Sequence, residues 1–340
     1  MRFASLGVLG LVFYLFAAVE VSPAALRLVP YQNPAFTMQV PAGWRVFTAG
    51  QCAELAVLAR DPAEPLRQVF YFGAVGPFYA LAQRKQQDIF YMRSGGYPVP
   101  WVEMPVVAPL TPARFLEQFP HIASTRLARQ FMPQAPRLAG LQVISSRPLP
   151  SLIAGGSAAL VRALFLRQGR VGQGLFTCTL APMPAMPGLP TAGLAYAYLF
   201  TGVTAPKHEF ARLLPTLTRS LGSLKLAPSY VQQCMRASRA AFAAVMRAGQ
   251  SLRQTSDMIM QGWQRRNRRE DVMAEKRSDA ILGYERVYDP ATGETFQVEP
   301  DFWDQYQRHR RRFQMSDLQP VPNQRHDLWT RPPRSQRDIH

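Results

Sequence analysis

Residues 140–202 read GLQVISSRPLPSLIAGGSAALVRALFLRQGRVGQGLFTCTLAPMPAMPGLPTAGLAYAYLFTG. Four runs within it, residues 141–145, 158–166, 175–180 and 194–202, are rich in Val, Leu, Phe, Tyr and Thr and have the length of strands rather than helices. Between the second and third lies Gly169-Arg170-Val171-Gly172-Gln173-Gly174. That spacing fits neither G-x-x-x-x-G-K-S/T nor G-x-G-x-x-G, and no helical period follows it, so it reads as a hairpin connection and not as a phosphate cradle. A series of strands joined by short turns pairs antiparallel.

The flanks extend this pattern. Phe36-Thr37-Met38-Gln39-Val40 alternates, Pro41-Ala42-Gly43 supplies a turn, and Trp44-Arg45-Val46-Phe47 resumes an extended run, which predicts a hairpin. Residues 54–59 and 68–74 read as further strands. Residues 79–93 mix Leu81, Ile89, Phe90 and Met92 with Gln, Arg and Lys, the mixture of an amphipathic helix. Thr111 and Pro112 are placed as N-cap and first helical residue of another. Beyond the strands, Phe210, Leu213, Leu214, Leu217 and Leu221 form one helical stripe, with Pro215 predicting a kink or break, and residues 223–226 form a short strand. The fold class is α+β: an antiparallel sheet with helices packed on its faces.

The two ends of this zone carry a resemblance. NPAFTMQVPAGWRV at residues 33–46 resembles the opening of the PsbP-like superfamily, an aromatic-rich strand leading into a P-x-G-W turn. GLAYAYLFTGVTAPKHEFARLLPTLTRSLGSLKL at residues 193–226 is similar to that superfamily's ending: long strand, short loop, helix, last strand. The resemblance covers residues 31–226 and implies the same sheet-and-helix architecture in a small binding or assembly protein. It carries over no functional residue.

A second zone follows. Val231, Ser238, Val245, Leu252 and Ile259 recur every seven residues, as do Met235, Phe242, Gly249, Ser256 and Trp263, which predicts one long amphipathic helix over residues 228–280. It either joins copies of the chain as a coiled coil or packs on its own first domain or on a following segment. Residues 281–313 read as a β-hairpin and aromatic module, Pro290 and Gly293 marking the turn, and residues 314–340 as an irregular Pro-rich tail with Trp329 as a docking point. Asp289 and Glu294 lack the further acidic positions of an EF-hand.

The N-terminus bears on compartment. Arg2 precedes an uncharged apolar run at residues 3–19, and Ser22-Pro23-Ala24 offers small residues to a signal peptidase. Residues 1–25 are therefore read as a signal peptide on an exported, periplasmic or secreted protein, with an uncleaved membrane anchor as the alternative, leaving residues 26–227 as the first domain. Export would allow Cys52 and Cys178 to pair; the alternative is three buried free thiols.

Chemistry is sparse. His208-Glu209 begins like H-E-x-x-H, but position 212 is Arg, and no G-x-S-x-G occurs. No catalytic residue, metal ligand or cofactor is assigned. Arg308, Arg310, Arg311 and Arg312 follow Phe302, Trp303 and Tyr306, and arginine beside aromatics suits phosphate- or carboxylate-bearing partners. The candidate partner-binding residues are accordingly Trp303, Tyr306, Arg308, Arg310, Arg311 and Arg312. A second cluster, Arg265, Arg266, Arg268 and Arg269, is read as offset by Glu270, Asp271 and Glu275. With 39 Lys+Arg against 22 Asp+Glu the chain carries +17, of which residues 1–230 hold +12, 20 basic against 8 acidic groups. An exported chain of this charge meets an anionic envelope component or another protein rather than nucleic acid. The expectation is a non-catalytic binding or assembly protein; the rival is a hydrolase-type enzyme with its site in a cleft of the first domain.

Overall fold

The computed structural model describes residues 26–183, 191–237, 240–249, 252–315 and 317–339, so the expected signal segment lies outside the described residues. The first zone runs β1 (Leu28–Asn33), β2 (Phe36–Pro41), β3 (Arg45–Ala49), β4 (Ala56–Arg60), β5 (Gln68–Tyr79), α1 (Ala82–Arg93), α2 (Pro112–Ser124) and α3 (Arg126–Phe131). It continues with β6 (Ala139–Leu149), β7 (Ser157–Arg167), β8 (Arg170–Pro182), β9 (Leu194–Pro206), α4 (Lys207–Gly222) and β10 (Lys225–Leu226). Seven strands form an antiparallel sheet in the order β3-β4-β5-β9-β8-β7-β6. The four decisive runs are β6, β7, β8 and β9, and Gln168 and Gly169, both at positive φ, make the two-residue hairpin turn between β7 and β8.

Both faces of this sheet are covered, which is why its central strands read as unbroken apolar runs. On one face Phe70, Phe72, Phe176 and Phe200 meet Phe115 and Phe119 of α2, with Phe200 as hub at 4.8 Å from Phe119 and 5.2 Å from Phe115 between ring centroids. On the other, Val69, Tyr71, Leu175 and Val203 meet the predicted stripe of α4. Thr111 caps α2 as expected, accepting from Arg114 N. The helix α4 runs through Pro215 without a break, because its buried stripe holds on both sides of the proline.

The predicted hairpin at residues 36–47 needs correction. The turn exists, with Gly43 at φ 82°, but β2 pairs with β1 and β10 in a separate three-stranded sheet while β3 joins β4. The ladder positions of β2 are already taken, so the turn hands the chain from one sheet to the next.

The single long helix also gives way: the described helical runs are α5 (Pro228–Ala237), α6 (Ala240–Gly249), α7 (Arg253–Gln264) and α8 (Arg268–Leu282), and the chain leaves the helix at Leu252 and again at residues 265–267. Asn267 restarts the chain as N-cap of α8, its side chain accepting from Glu270 N at 2.8 Å. Geometry explains the division: the seam would be about 50 Å long as one straight helix, whereas seven strands span about 34 Å. The helices lie along the sheet, and the seam residues Val231, Leu252 and Ile259 bury against its second face, as does Met246 beside them. These seam residues thus pack on the first domain of their own chain, while Met235 of the same seam stays exposed.

Cys52 bonds to Cys234, with Cα atoms 5.2 Å apart, and not to Cys178. The strand alternation decides this. Cys178 projects from β8 into the face packed by α2, whereas Cys52 and Cys234 sit against the opposite face. Cys178 remains a buried free thiol.

The C-terminal zone forms β11 (Glu285–Tyr288), β12 (Thr295–Val298), α9 (Phe302–Arg308), β13 (Gln319–Pro320), α10 (His326–Trp329) and β14 (Arg334–Ser335). The hairpin β11–β12 is present, its turn closed by Asp289, which accepts from Ala291 N and from Thr292 Oγ1. The tail expected to be irregular supplies both edges of a four-stranded sheet, β13-β11-β12-β14, and buries Leu318, Val321, Leu328, Trp329 and Ile339. Proline suits such edges, where no donor is needed. Residues 281–313 and 314–339 are therefore one packed module.

Candidate functional site

Helix α9 and the 3-10 turn Arg310–Arg312 present the predicted arginines. Phe302 and Tyr306, one turn apart, point inward and stack at 5.9 Å. Tyr306 is fully buried; its hydroxyl donates to Met315 O and accepts from Leu318 N, so it builds the module and offers nothing to a partner. Trp303 is half-buried over Tyr306 and lines a hollow of about 710 Å³ with Arg310, Asp317 and Leu318. Arg308, Arg310, Arg311 and Arg312 are exposed. Among the described residues none of them lies within ion-pair distance of a carboxylate; the arginines of this module that do are Arg286, Arg325 and Arg334. The structure thus brings together four arginines and one indole, and removes Tyr306 from the set.

A larger cleft, about 810 Å³, opens between β7, β8, the start of α4, α8 and the C-terminal module. Its charges are opposed pair by pair. Arg162 Nη1 reaches Asp271 Oδ1 at 2.9 Å, with its guanidinium 5.0 Å from the centroid of Trp263, and Arg266 lies 3.9 Å from the same ring. Lys207 Nζ meets Glu275 at 2.6 Å, and the enclosed Arg286 meets both Glu275 and Asp279. Beside the cleft, Arg147 holds Glu270. Burial lowers the pKa of Arg162 even against the pull of Asp271. Each carboxylate facing this cleft is held by an arginine or lysine, and the arrangement clamps α8 and the module to the sheet. No sequence signal could have found it, since Arg162 and Asp271 are 109 residues apart. Among the described residues the second arginine cluster follows its expected role through Arg266, which pairs with Asp271.

Burial pushes the Cys178 thiol well above its ordinary pKa, which leaves it unreactive. Among the described residues no group of three or more His, Cys, Asp or Glu side chains is placed to hold a metal ion.

No protein-family profile matches the chain, and no curated protein matches it. The likeness to the PsbP-like superfamily therefore stands on its two terminal motifs alone. Solved structures do align distantly. LpqN of Mycobacterium tuberculosis, described as involved in cell envelope biogenesis, is 14% identical over 60% of this chain and 92% of its own, with a TM-score of 0.24. PA94 of Pseudomonas aeruginosa, a protein of unknown function described as a putative regulator, is 12% identical over 59% of this chain and 98% of its own, with a TM-score of 0.21. A Bacteroides thetaiotaomicron protein is 10% identical over 79% of this chain and 82% of its own, with a TM-score of 0.24. At such scores these likenesses carry no argument.

Proposed function

We propose that the chain is an exported, non-catalytic binding protein whose C-terminal module meets an anionic envelope component through Arg308, Arg310, Arg311 and Arg312. The observation that carries this reading is the exposure of four arginines within five residues, none of them ion-paired among the described residues, beside the half-buried indole of Trp303. Planar guanidinium groups free of internal carboxylates fit phosphate or carboxylate oxygens. Export is supported by the Cys52–Cys234 disulfide, a bond that persists in oxidising compartments, and by the apolar run at residues 3–19. The rival hydrolase needs an unencumbered base or nucleophile, and the carboxylates of the large cleft are each held by a cation.

Heparin-agarose serves as the polyanion probe. Replacing the four arginines with glutamine is expected to move elution to markedly lower salt and to flatten the dependence of retention on ionic strength. Elution at the same salt as the parent would overturn the reading.

A further inference from the structure

Helix α1 encloses a charge and leaves two aromatic rings in solvent, with Ile89 and Met92 half-buried between them. Its one buried residue is a carboxylate, Asp88. Asp88 accepts from Tyr79 Oη at 2.9 Å, from Arg84 Nε at 2.9 Å and from Trp101 Nε1 at 3.1 Å. Lys85 Nζ donates to Met104 O at 2.8 Å. These polar bonds moor the helix to the end of β5. Phe90, two residues on and about 200° round the helix from Asp88, points the other way and is 73% exposed. Gly95 and Gly96 fold the chain back, Gly96 N bonding to Tyr91 O against the Tyr91 ring, and deliver Tyr97 at 82% exposure. Of the seven large apolar side chains exposed among the described residues, Leu81, Phe90, Tyr91 and Tyr97 fall on this one helix and its ends.

Phe90, Tyr91 and Tyr97 put three aromatic rings into water within eight residues, a patch that an occupant would cover. Charge says which. Between Glu64 and Glu103 the chain has one carboxylate, Asp88, and it is enclosed and paired, while Arg93 stands exposed one turn beyond Phe90. Phenyl and phenol rings beside an exposed arginine, with the neighbouring Glu103 already paired to Arg126, suit the headgroup region of an anionic bilayer. No helix of the described residues is long and apolar enough to cross a membrane, so α1 would lie in the interfacial plane. We propose that Phe90, Tyr91, Tyr97 and Arg93 form an interfacial seat for an anionic lipid surface. This seat is separate from the arginine face of the C-terminal module and rests on different residues.

The test needs a local readout. In the oxidised chain Cys178 is buried and the other two cysteines are bonded, so a cysteine introduced as Gln87→Cys is the reactive thiol and can carry an environment-sensitive fluorophore. With phosphatidylglycerol-containing vesicles the probe is expected to shift to the blue and to be quenched by spin-labelled lipid. Both responses should fall at least tenfold in Phe90→Ser/Tyr97→Ser, and in part in Arg93→Gln, with the far-UV spectrum and melting temperature of the parent kept. The glutamine variant of the C-terminal arginines should respond like the parent. Equal response in Phe90→Ser/Tyr97→Ser, an equal response to pure phosphatidylcholine, or a parent dimer that this double variant dissociates while lipid binding is unchanged would each overturn the proposal.

Discussion

Removing the Cys52–Cys234 bond offers a severe test of the fold. The two cysteines are 182 residues apart, so the bond closes a loop over more than half the chain. In the chain-entropy relation a loop of that size restricts the unfolded state by about 5 kcal/mol. At about 2 cal/mol/K per residue, unfolding a chain of 340 residues releases about 0.7 kcal/mol/K. Cys234→Ser is therefore expected to lower the melting temperature by about 7 °C. Thermal denaturation followed by circular dichroism, on the oxidised parent, the reduced parent and Cys234→Ser, measures it; the last two should melt together. Thiol titration after denaturation fixes the pairing. One free thiol is expected in the oxidised parent, belonging to Cys178, and a peptide joining residues 52 and 234 after proteolysis. Three free thiols, a peptide joining Cys52 to Cys178, or a Cys234→Ser melt within about 1 °C of the oxidised parent would refute the reasoning.

Two further outcomes follow from the charge network. Arg286→Ala leaves Asp279 buried without its cation, and such a break typically costs about 3–5 kcal/mol; denaturant titration should show that loss, with early proteolytic cutting in the C-terminal module as it detaches from α8. The side-chain hydrogen bonds from Arg325 hold the Asp327 carboxyl down at about 2. The folded value lies below the unfolded one, so the small stabilisation it gives is present above the ordinary carboxylate range and lost as pH falls toward 2. NMR titration should place the Asp327 midpoint there and return it to the ordinary range in Arg325→Gln; an unmoved midpoint contradicts the pairing.

What could be read from the chain depended on whether a residue's partner was near in sequence. The β7–β8 hairpin and the Thr111 cap were legible because turn and cap chemistry are local. The stripe of α4 was legible for the same reason, since one period decides it, although the expected break at Pro215 gave way to packing on both sides of it. The seven-residue seam misled because helices laid on a sheet bury Val231, Leu252 and Ile259 just as one long helix would. The cysteine pairing turned on which sheet face each strand residue takes, a matter of register that composition cannot supply. On α1 the sequence pattern identified the helix, but Asp88 had partners at Tyr79 and Trp101 able to draw it inside, and Phe90 and Tyr91 were left exposed. Tyr306 was misjudged as a contact residue for a related reason: stacking at helical spacing served the small core of the module.

The apportionment of charge reverses once pairing is known. By composition most of the excess sits before residue 231, in a zone poor in carboxylates, and the later clusters look offset by their neighbours. In the fold, that shortage is met from outside: Arg147, Arg162 and Lys207 of the first zone take Glu270, Asp271 and Glu275 of α8 as their counter-ions. The acidic face of α8 is thus committed to the sheet and to Arg286, and cannot neutralise the arginines that follow α9. Arg308 to Arg312 are left facing solvent by the same contacts that dock their module. The two sets must then respond differently to salt. Enclosed pairs such as Arg162–Asp271 are weakly screened, whereas exposed guanidinium groups are screened within about 10 Å at 0.1 M. Raising ionic strength should accordingly release the chain from a polyanion well before it loosens α8 from the sheet, and a module that detached at the same salt as the polyanion would show the clamp to be a surface network after all.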